Sequence, residues 1–184
     1  VATGTGVISH HLARKGLSRN PIHALDITYP MIKRTQERFR NSNIEKQGKL
    51  VCGSAMEMPY NKDTFTLVIC GLATHHMNVD EFISESHRIL ISDGRLSIID
   101  AGGSLNWNIP GMKFIIRCAA YIYFLFKENH FRAWAESSAV LNVCAKEEWH
   151  ELLIRIGFRD IEITKLSSKH KLIPPPLLIK AIKI

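Results

Sequence analysis

The opening of this chain constrains it most. Val1-Ala2-Thr3-Gly4-Thr5-Gly6 runs straight into a helical pattern, and Asp26 stands twenty residues beyond Gly6. Small residues at 2, 4 and 6 let a backbone turn tightly and let another molecule approach it. Val7, Ile8 and Leu12 follow at helical spacing, so the loop opens a helix whose free N–H groups and positive dipole end lie beside the glycines. Ile22-His23-Ala24-Leu25-Asp26 reads as a short buried strand that ends on its acid. At that distance an acid can accept hydrogen bonds from ribose hydroxyls. A structural turn beside a solvated strand-end Asp is the alternative.

The same alternation continues. The patterns predict helices over 7–15, 29–41, 79–90 and around Trp149–Ile156, and strands at 22–26, 49–52, 65–70, 94–100, 161–163 and 182–184. Thr28 stands as a cap with Pro30 in the first turn, Asn78 to Glu81 resembles a capping box, and Gly16 and Gly157 are stops. Strands separated by helices imply βαβ units and a parallel sheet covered on both faces, a three-layer α/β fold. The last two strands are joined by a loop with no helical pattern, so they form an antiparallel pair. Ile173-Pro174-Pro175-Pro176 marks a stiff loop rather than a linker. Residues 1–184 are read as one domain, with 102–145 as an insertion that breaks the alternation.

Composition narrows the classes. A chain 46% hydrophobic and 22% charged is neither disordered nor a polytopic membrane protein. The net charge is +7. Nine Lys/Arg against three acids fall between Arg14 and Lys49, but no aromatic platform interleaves them, so a solvated helix face explains the run and nucleic acid is not the expected partner. Cys52, Cys70, Cys118 and Cys144 sit among apolar neighbours without a Cys-x-x-Cys pair, which reads as buried, reduced thiols in a cytoplasmic compartment. No HExxH or His-x-His appears, so no metal is expected. The start lacks an initiator Met and a signal peptide and falls inside the glycine motif, so the chain is read as an N-terminally truncated fragment lacking most of a first strand.

The ligand class follows from what the loop lacks. Gly6 is followed by Val7-Ile8 rather than Lys-Ser/Thr, which argues against a phosphate-cradling loop. Position 9 is Ser, where a nicotinamide fold prefers a third glycine. The small-x-Gly-x-Gly spacing suits an adenosyl group with an amino-acid tail. Tyr123 and Lys127 match a dehydrogenase Tyr-x-x-x-Lys, but they lie in an apolar run without that family's glycine loop, and the match reads as chance.

Four segments resemble the class I S-adenosylmethionine-dependent methyltransferases, closest to the ubiquinone/menaquinone-biosynthesis type. They are the glycine loop with Asp26; Gly53 to Tyr60; Phe65 to Met77; and His87 to Asp100 with Gly157-Phe158-Arg159-Asp160. The resemblance implies a Rossmann-like fold and S-adenosyl-L-methionine as cofactor. It implies that Ala2, Gly4 and Gly6 line the methionine part, that Asp26 holds both ribose hydroxyls, and that Ile27 packs on adenine. Ser54, Ala55 and Met56 would edge the adenine, and Gly71 and Leu72 would border the sulfonium. Ala2 departs from the usual first glycine, and Ser54 stands where an Asp commonly accepts from the adenine amino group.

A methyl on a sulfonium is already activated, so the protein has mainly to hold nucleophile and methyl in line in a dry pocket. His75 and His76 follow the fourth strand of the family's pattern, and a neutral imidazole there could take a proton from a phenol or an activated ring carbon. Structural packing of both rings is the competing reading. Gly71-Leu72-Ala73-Thr74 replaces the Asn/Asp-Pro-Pro-Tyr of exocyclic-amine methyltransferases. The insertion holds an apolar stretch, Phe114–Phe126, too short to span a bilayer. It reads equally as a lid around a lipophilic acceptor, with peripheral membrane contact, or as a helix buried against the domain or a partner. The expected activity is methyl transfer to a small, lipophilic or aromatic acceptor. An RNA or other macromolecular methyltransferase and a non-catalytic interaction module remain alternatives. Oligomeric state is not legible in the sequence.

Overall fold

The computed structural model describes residues 1–17, 20–167 and 175–184. The elements run α1 (Val7–Arg14), β1 (Ile22–Asp26), α2 (Tyr29–Arg40), β2 (Gly48–Cys52), β3 (Phe65–Gly71), α3 (Val79–Ile89), β4 (Leu90–Asp100), α4 (Met112–Lys127), α5 (His130–Ala139), α6 (Lys146–Ile156), β5 (Phe158–Lys165) and β6 (Leu177–Lys183). β1 and β2 pair in parallel. A second sheet has the order β3-β4-β6-β5, in which β3 and β4 are parallel and only β6 runs against its neighbours. The antiparallel C-terminal pair is therefore present, with β6 inserted between β4 and β5.

Local chemistry explains the elements. Ile32, Thr35 and Phe39 are buried on one face of α2, and Pro30 sits in its first turn. Asn78 caps α3: its side chain accepts from the Glu81 N–H and donates to the Glu81 carboxylate at 2.8 Å. The Ala145 N–H donates to Glu148 Oε2 at 2.6 Å at the start of α6, and Gly157, with φ 106°, stops that helix. α3 and α6 present Phe82, Ile83, Trp149 and Leu153 to Leu96 and Ile98 of β4 and to Leu177 and Ile179 of β6. Each such side chain, fully withdrawn from water, contributes about 1.5–3 kcal/mol. Ala13, Phe39 and Ile44 form a smaller cluster under α1 and α2.

The ladder is interrupted between β1 and β3. Val1–Thr3 crosses that interval, with the Val1 nitrogen donating to Ile69 O at 2.8 Å and the Thr3 N–H to Leu25 O at 2.9 Å. A cavity of about 640 Å³ lies there, lined by residues of β1, α1 and β3 that include Ile22, Leu12 and Leu67. β4 begins at Leu90 rather than at 94 because Leu90 already pairs with Phe65; the strand then bulges through Asp93, with φ +63°, and rejoins β3 where Arg95 pairs with Leu67. β6 begins at Leu177 rather than 182. All four cysteines are free, but Cys52 and Cys118 are exposed, which corrects the expectation of burial. Cys52 is the last residue of a strand, and Cys118 lies on a helix with no buried residue. Ile173 and Pro174 of the expected stiff loop lie outside the described residues.

Candidate functional site

The two glycines of the loop do different work. Gly6 has φ +75° and is buried; a Cβ there would stand 2.6 Å from Thr35 Cγ2 and 2.8 Å from Thr35 Oγ1. Absence of a side chain at 6 lets α1 approach α2. Gly4 has φ +54°, and nothing lies within 4 Å of the place its Cβ would take, so its backbone borders open space. Thr35 fixes the loop by donating its hydroxyl to Gly4 O at 3.0 Å, and Arg38 Nε donates to Thr5 O at 2.8 Å. Ala2 adopts φ +49°, the region glycine prefers, so its departure from glycine is accommodated at a cost of about 1–2 kcal/mol.

Asp26 ends β1 almost fully buried. Its Oδ2 accepts from the Gly4 N–H at 2.8 Å and its Oδ1 from the Thr28 N–H at 2.9 Å. A carboxylate offers about four lone-pair positions, so two remain for two further donors. Ile27, next along, is exposed. Across from it, the Asp26 carbonyl accepts from Gly53 N–H at 3.0 Å, which leads into the loop carrying Ser54, Ala55 and Met56. Ser54 Oγ accepts from the Met56 N–H at 3.1 Å, Ala55 is buried, and Met56 Sδ accepts from the Asn78 N–H.

That loop is clamped from α3. Arg88 donates to Tyr60 O at 2.7 Å and Met58 O at 3.0 Å, and Glu85 Oε2 accepts from the Met58 N–H at 2.8 Å. Arg88 also makes a two-point contact with Glu85 at 2.6 and 2.7 Å, and this guanidinium holds the Glu85 carboxyl below its usual range. Nothing in the sequence reading singled out either residue. Their i, i+3 spacing on α3 was the available signal.

The third wall is the carboxyl end of β3. A Cβ on Gly71 would stand 2.8 Å from Ile8 Cδ1 of α1, so this position joins the glycine-loop helix to β3. Leu72 turns with φ +54°, its N–H donating to Ile99 O at 2.6 Å and its side chain exposed. A 3-10 turn, Thr74–His76, follows. Asp100, wholly buried at the end of β4, organises it: Thr74 donates its hydroxyl to Oδ2, and His75 Nδ1 lies 2.6 Å from Oδ1. A carboxylate only accepts, so Nδ1 carries the hydrogen of this bond, and Nε2 is the ring nitrogen that Asp100 does not engage. Asn142 Nδ2 adds a bond to His75 O at 3.2 Å.

His76 lies beside His75 with ring centroids 4.3 Å apart and the rings tilted by 46°, and its pKa is lowered, first by partial desolvation and then by His75. Both rings and Glu136 of α5 offer ligand-type atoms within 4.8 Å of one another. Glu136 is also engaged by Arg132 at 3.3 Å, a partner a cation would have to displace. In the sequence Asp100 ends the 94–100 strand and closes the His87–Asp100 segment of the resemblance, with no role of its own. An acid at the carboxyl end of the strand beside β3 was the signal for a site role.

Gly4 and Asp26 are thus bonded at the end of β1, Gly71 and Leu72 stand at the end of β3, the Ser54–Met56 loop is bonded to β1, and the His75–Asp100 pair lies at the end of β4. The 640 Å³ cavity is a different place. Of the expected site residues it touches Ala2, Gly4 and Gly71, but not Asp26, Ser54 or His75.

Comparison with known proteins bears on this arrangement. Residues 1–98 match the family model described as a methyltransferase domain. The demethylmenaquinone methyltransferase of Lactobacillus johnsonii is 27% identical over 174 residues, covering 89% of this chain and 68% of that protein. The protein of that name from Listeria welshimeri is 27% identical over 114 residues, covering 61% of the chain and 47% of its own length. Those alignments span about half to two thirds of the two relatives. Among solved structures, a putative methyltransferase from Bacillus halodurans superposes with TM-score 0.71 at 18% identity, over 99% of this chain and 90% of that one. Geranyl diphosphate C-methyltransferase from Streptomyces coelicolor, solved with Mg2+, geranyl diphosphate and S-adenosyl-L-homocysteine, gives 0.74 at 14% identity, over 100% and 69%. These likenesses establish the shared fold. With more than half of its length matched by the family model, the chain belongs to the methyltransferase-domain family, class I.

Proposed function

We propose that the chain transfers a methyl group from S-adenosylmethionine to a small, aromatic or lipophilic acceptor, with His75 as the proton acceptor and Asp100 as its positioning partner. The observation that carries this reading is the pairing of His75 Nδ1 with the buried Asp100 at the end of β4, which leaves Nε2 unengaged by Asp100 in the turn that follows β3.

The residues fit the cofactor. Asp26 retains two acceptor positions for ribose hydroxyls, Gly4 borders open space, and Ile27 and Leu72 offer exposed apolar side chains at the strand ends. Ala2, Gly4 and Gly6 would line the methionine part through backbone, Ser54, Ala55 and Met56 would edge the adenine, and Gly71 and Leu72 would border the sulfonium. When bound, the cofactor supplies an electrophilic methyl on a positively charged sulfur. The chain supplies position and proton acceptance. His75 Nε2 takes the proton that the acceptor loses, and Asp100 steadies the imidazolium that results. Residues 102–145 act as the lid within a single domain, since Asn142 and Glu136 reach the two histidines from that segment. The relatives' name specifies a quinone acceptor, which supports an aromatic, lipophilic class.

The test is transfer of labelled methyl from S-adenosylmethionine to hydroquinones with and without an isoprenoid tail, and to RNA. Transfer to the tailed hydroquinones is expected. Asp100→Asn and His75→Ala should each lower kcat about 100-fold or more, with the S-adenosylhomocysteine Kd unchanged. Salt-sensitive transfer to RNA alone would replace this reading with the macromolecular one.

A further inference from the structure

α4 has no buried residue. Its half-buried positions, among them Ile116, Arg117, Ala120, Tyr121 and Phe124, form one stripe at helical spacing. That stripe faces α5: the Arg117 guanidinium sits 5.6 Å from the centre of the Trp134 ring, and Tyr121 meets His130 edge-on at 6.0 Å. The opposite face carries Phe114, Ile115, Ile122, Leu125 and Phe126, all exposed, with no charged side chain among them. Phe126 is 87% exposed, and Phe131 at the start of α5 is 86% exposed. Large apolar side chains gathered on one free face mark an interaction surface.

The surrounding charge selects the partner. The α4–α5 hairpin, residues 112–139, holds Lys113, Arg117, Lys127 and Arg132 against Glu128 and Glu136, both of which Arg132 engages, at 3.1 and 3.3 Å, so its net charge is positive. At the end of the helix Lys127 donates to the Tyr123 hydroxyl at 3.0 Å, an aromatic body with a wet, cationic tip. We propose that α4 lies flat in the surface of an anionic lipid membrane, its Phe114–Phe126 face in the acyl boundary and the exposed Lys127 at the headgroups. Sixteen residues span about 24 Å, below the roughly 30 Å of a hydrocarbon core, so the helix lies along the interface. Among the described residues no helix is long and apolar enough to cross a membrane. A second copy of the chain fits less well, because a face-to-face pair would bring two net-positive hairpins together. The proposal stands on this face alone and holds whatever the methyl acceptor proves to be.

The experiment is co-sedimentation of the purified protein with phosphatidylcholine vesicles, with and without phosphatidylglycerol, alongside sedimentation velocity without lipid. Binding to the phosphatidylglycerol vesicles, weakened by salt and much weaker to phosphatidylcholine alone, is expected. Phe114→Ser with Phe126→Ser should weaken binding by at least about tenfold. Lys127→Gln should weaken it roughly fivefold. Circular dichroism should show both variants folded, since every replaced side chain is exposed. Failure to bind either vesicle overturns the proposal. So does a concentration-dependent dimer that the double phenylalanine substitution dissociates, which would assign the face to a second copy.

Discussion

Replacing Gly6 by alanine tests the packing of the glycine loop against α2. Two penalties add. At φ +75° an L-residue is disfavoured by about 1–2 kcal/mol. The new methyl would also meet Thr35 at 2.6 and 2.8 Å, and overpacking of that kind costs about 1–3 kcal/mol. The expected destabilisation is about 2–5 kcal/mol, a large part of a domain's roughly 5–15 kcal/mol. Thr35→Ala loses the hydroxyl bond to Gly4 O and a buried methyl, about 1–2 kcal/mol together. The double variant removes the two shortest contacts and keeps the Thr35 Cβ at 3.0 Å, so it should be about 1–2 kcal/mol less destabilised than the sum of the singles. Urea unfolding of the four proteins measures the cycle, with calorimetric titration of S-adenosylhomocysteine in parallel. Additivity within about 0.5 kcal/mol would refute the steric argument. A Gly6→Ala protein as stable as the parent would refute both terms.

Arg88→Ala should loosen the loop that carries Ser54 to Met56, lowering stability by about 1–2 kcal/mol and S-adenosylhomocysteine affinity several-fold, as unfolding and calorimetry would read. Unchanged affinity would separate the clamp from the site. His23, His76 and His87 all have pKa values lowered from 6.5, each chiefly by burial. Below pH 6.5 the unfolded chain therefore binds more protons than the folded one, so stability is full above that pH and falls on acidification through the window beneath it. Urea midpoints measured from about pH 7.5 down to about pH 5 should decline, and His23→Phe, which keeps the ring contacts with Tyr60 and Phe65, should flatten part of that slope. A pH-independent midpoint would contradict the lowering of these histidines by partial desolvation.

Much of this was legible because local rules and the fold agree. The glycine loop, Asp26, the Asn78 cap and the Trp149-Leu152-Leu153 stripe each announce an element by spacing alone. What was not legible depends on pairing across the chain. Asp100 is 25 residues from His75 and meets it only because β3 and β4 run in parallel register. The start of β6 was hidden because Leu177 and Ile179 are buried with the apolar Leu178 between them half-buried, so no polar alternation marks the strand until Lys180. Lys183 points inward, donating to Asp63 and to Leu90 O at 2.7 Å, which further masks the period. The outward apolar face of α4 breaks the usual inside–outside rule, as interaction surfaces do.

The most direct test of the account is a calorimetric cycle between Asp26 and the ribose. S-adenosylhomocysteine and its 2′-deoxy analogue would be titrated into the protein and into Asp26→Ala. A hydrogen bond to a charged acceptor is worth about 1.5–3 kcal/mol, so removing the hydroxyl should weaken binding to the parent roughly ten- to a hundredfold. The Asp26→Ala protein should bind more weakly and no longer distinguish the two ligands. Equal affinity of the parent for both ligands, or no binding by a folded sample, would contradict the claim that this loop and its acid hold an adenosyl cofactor.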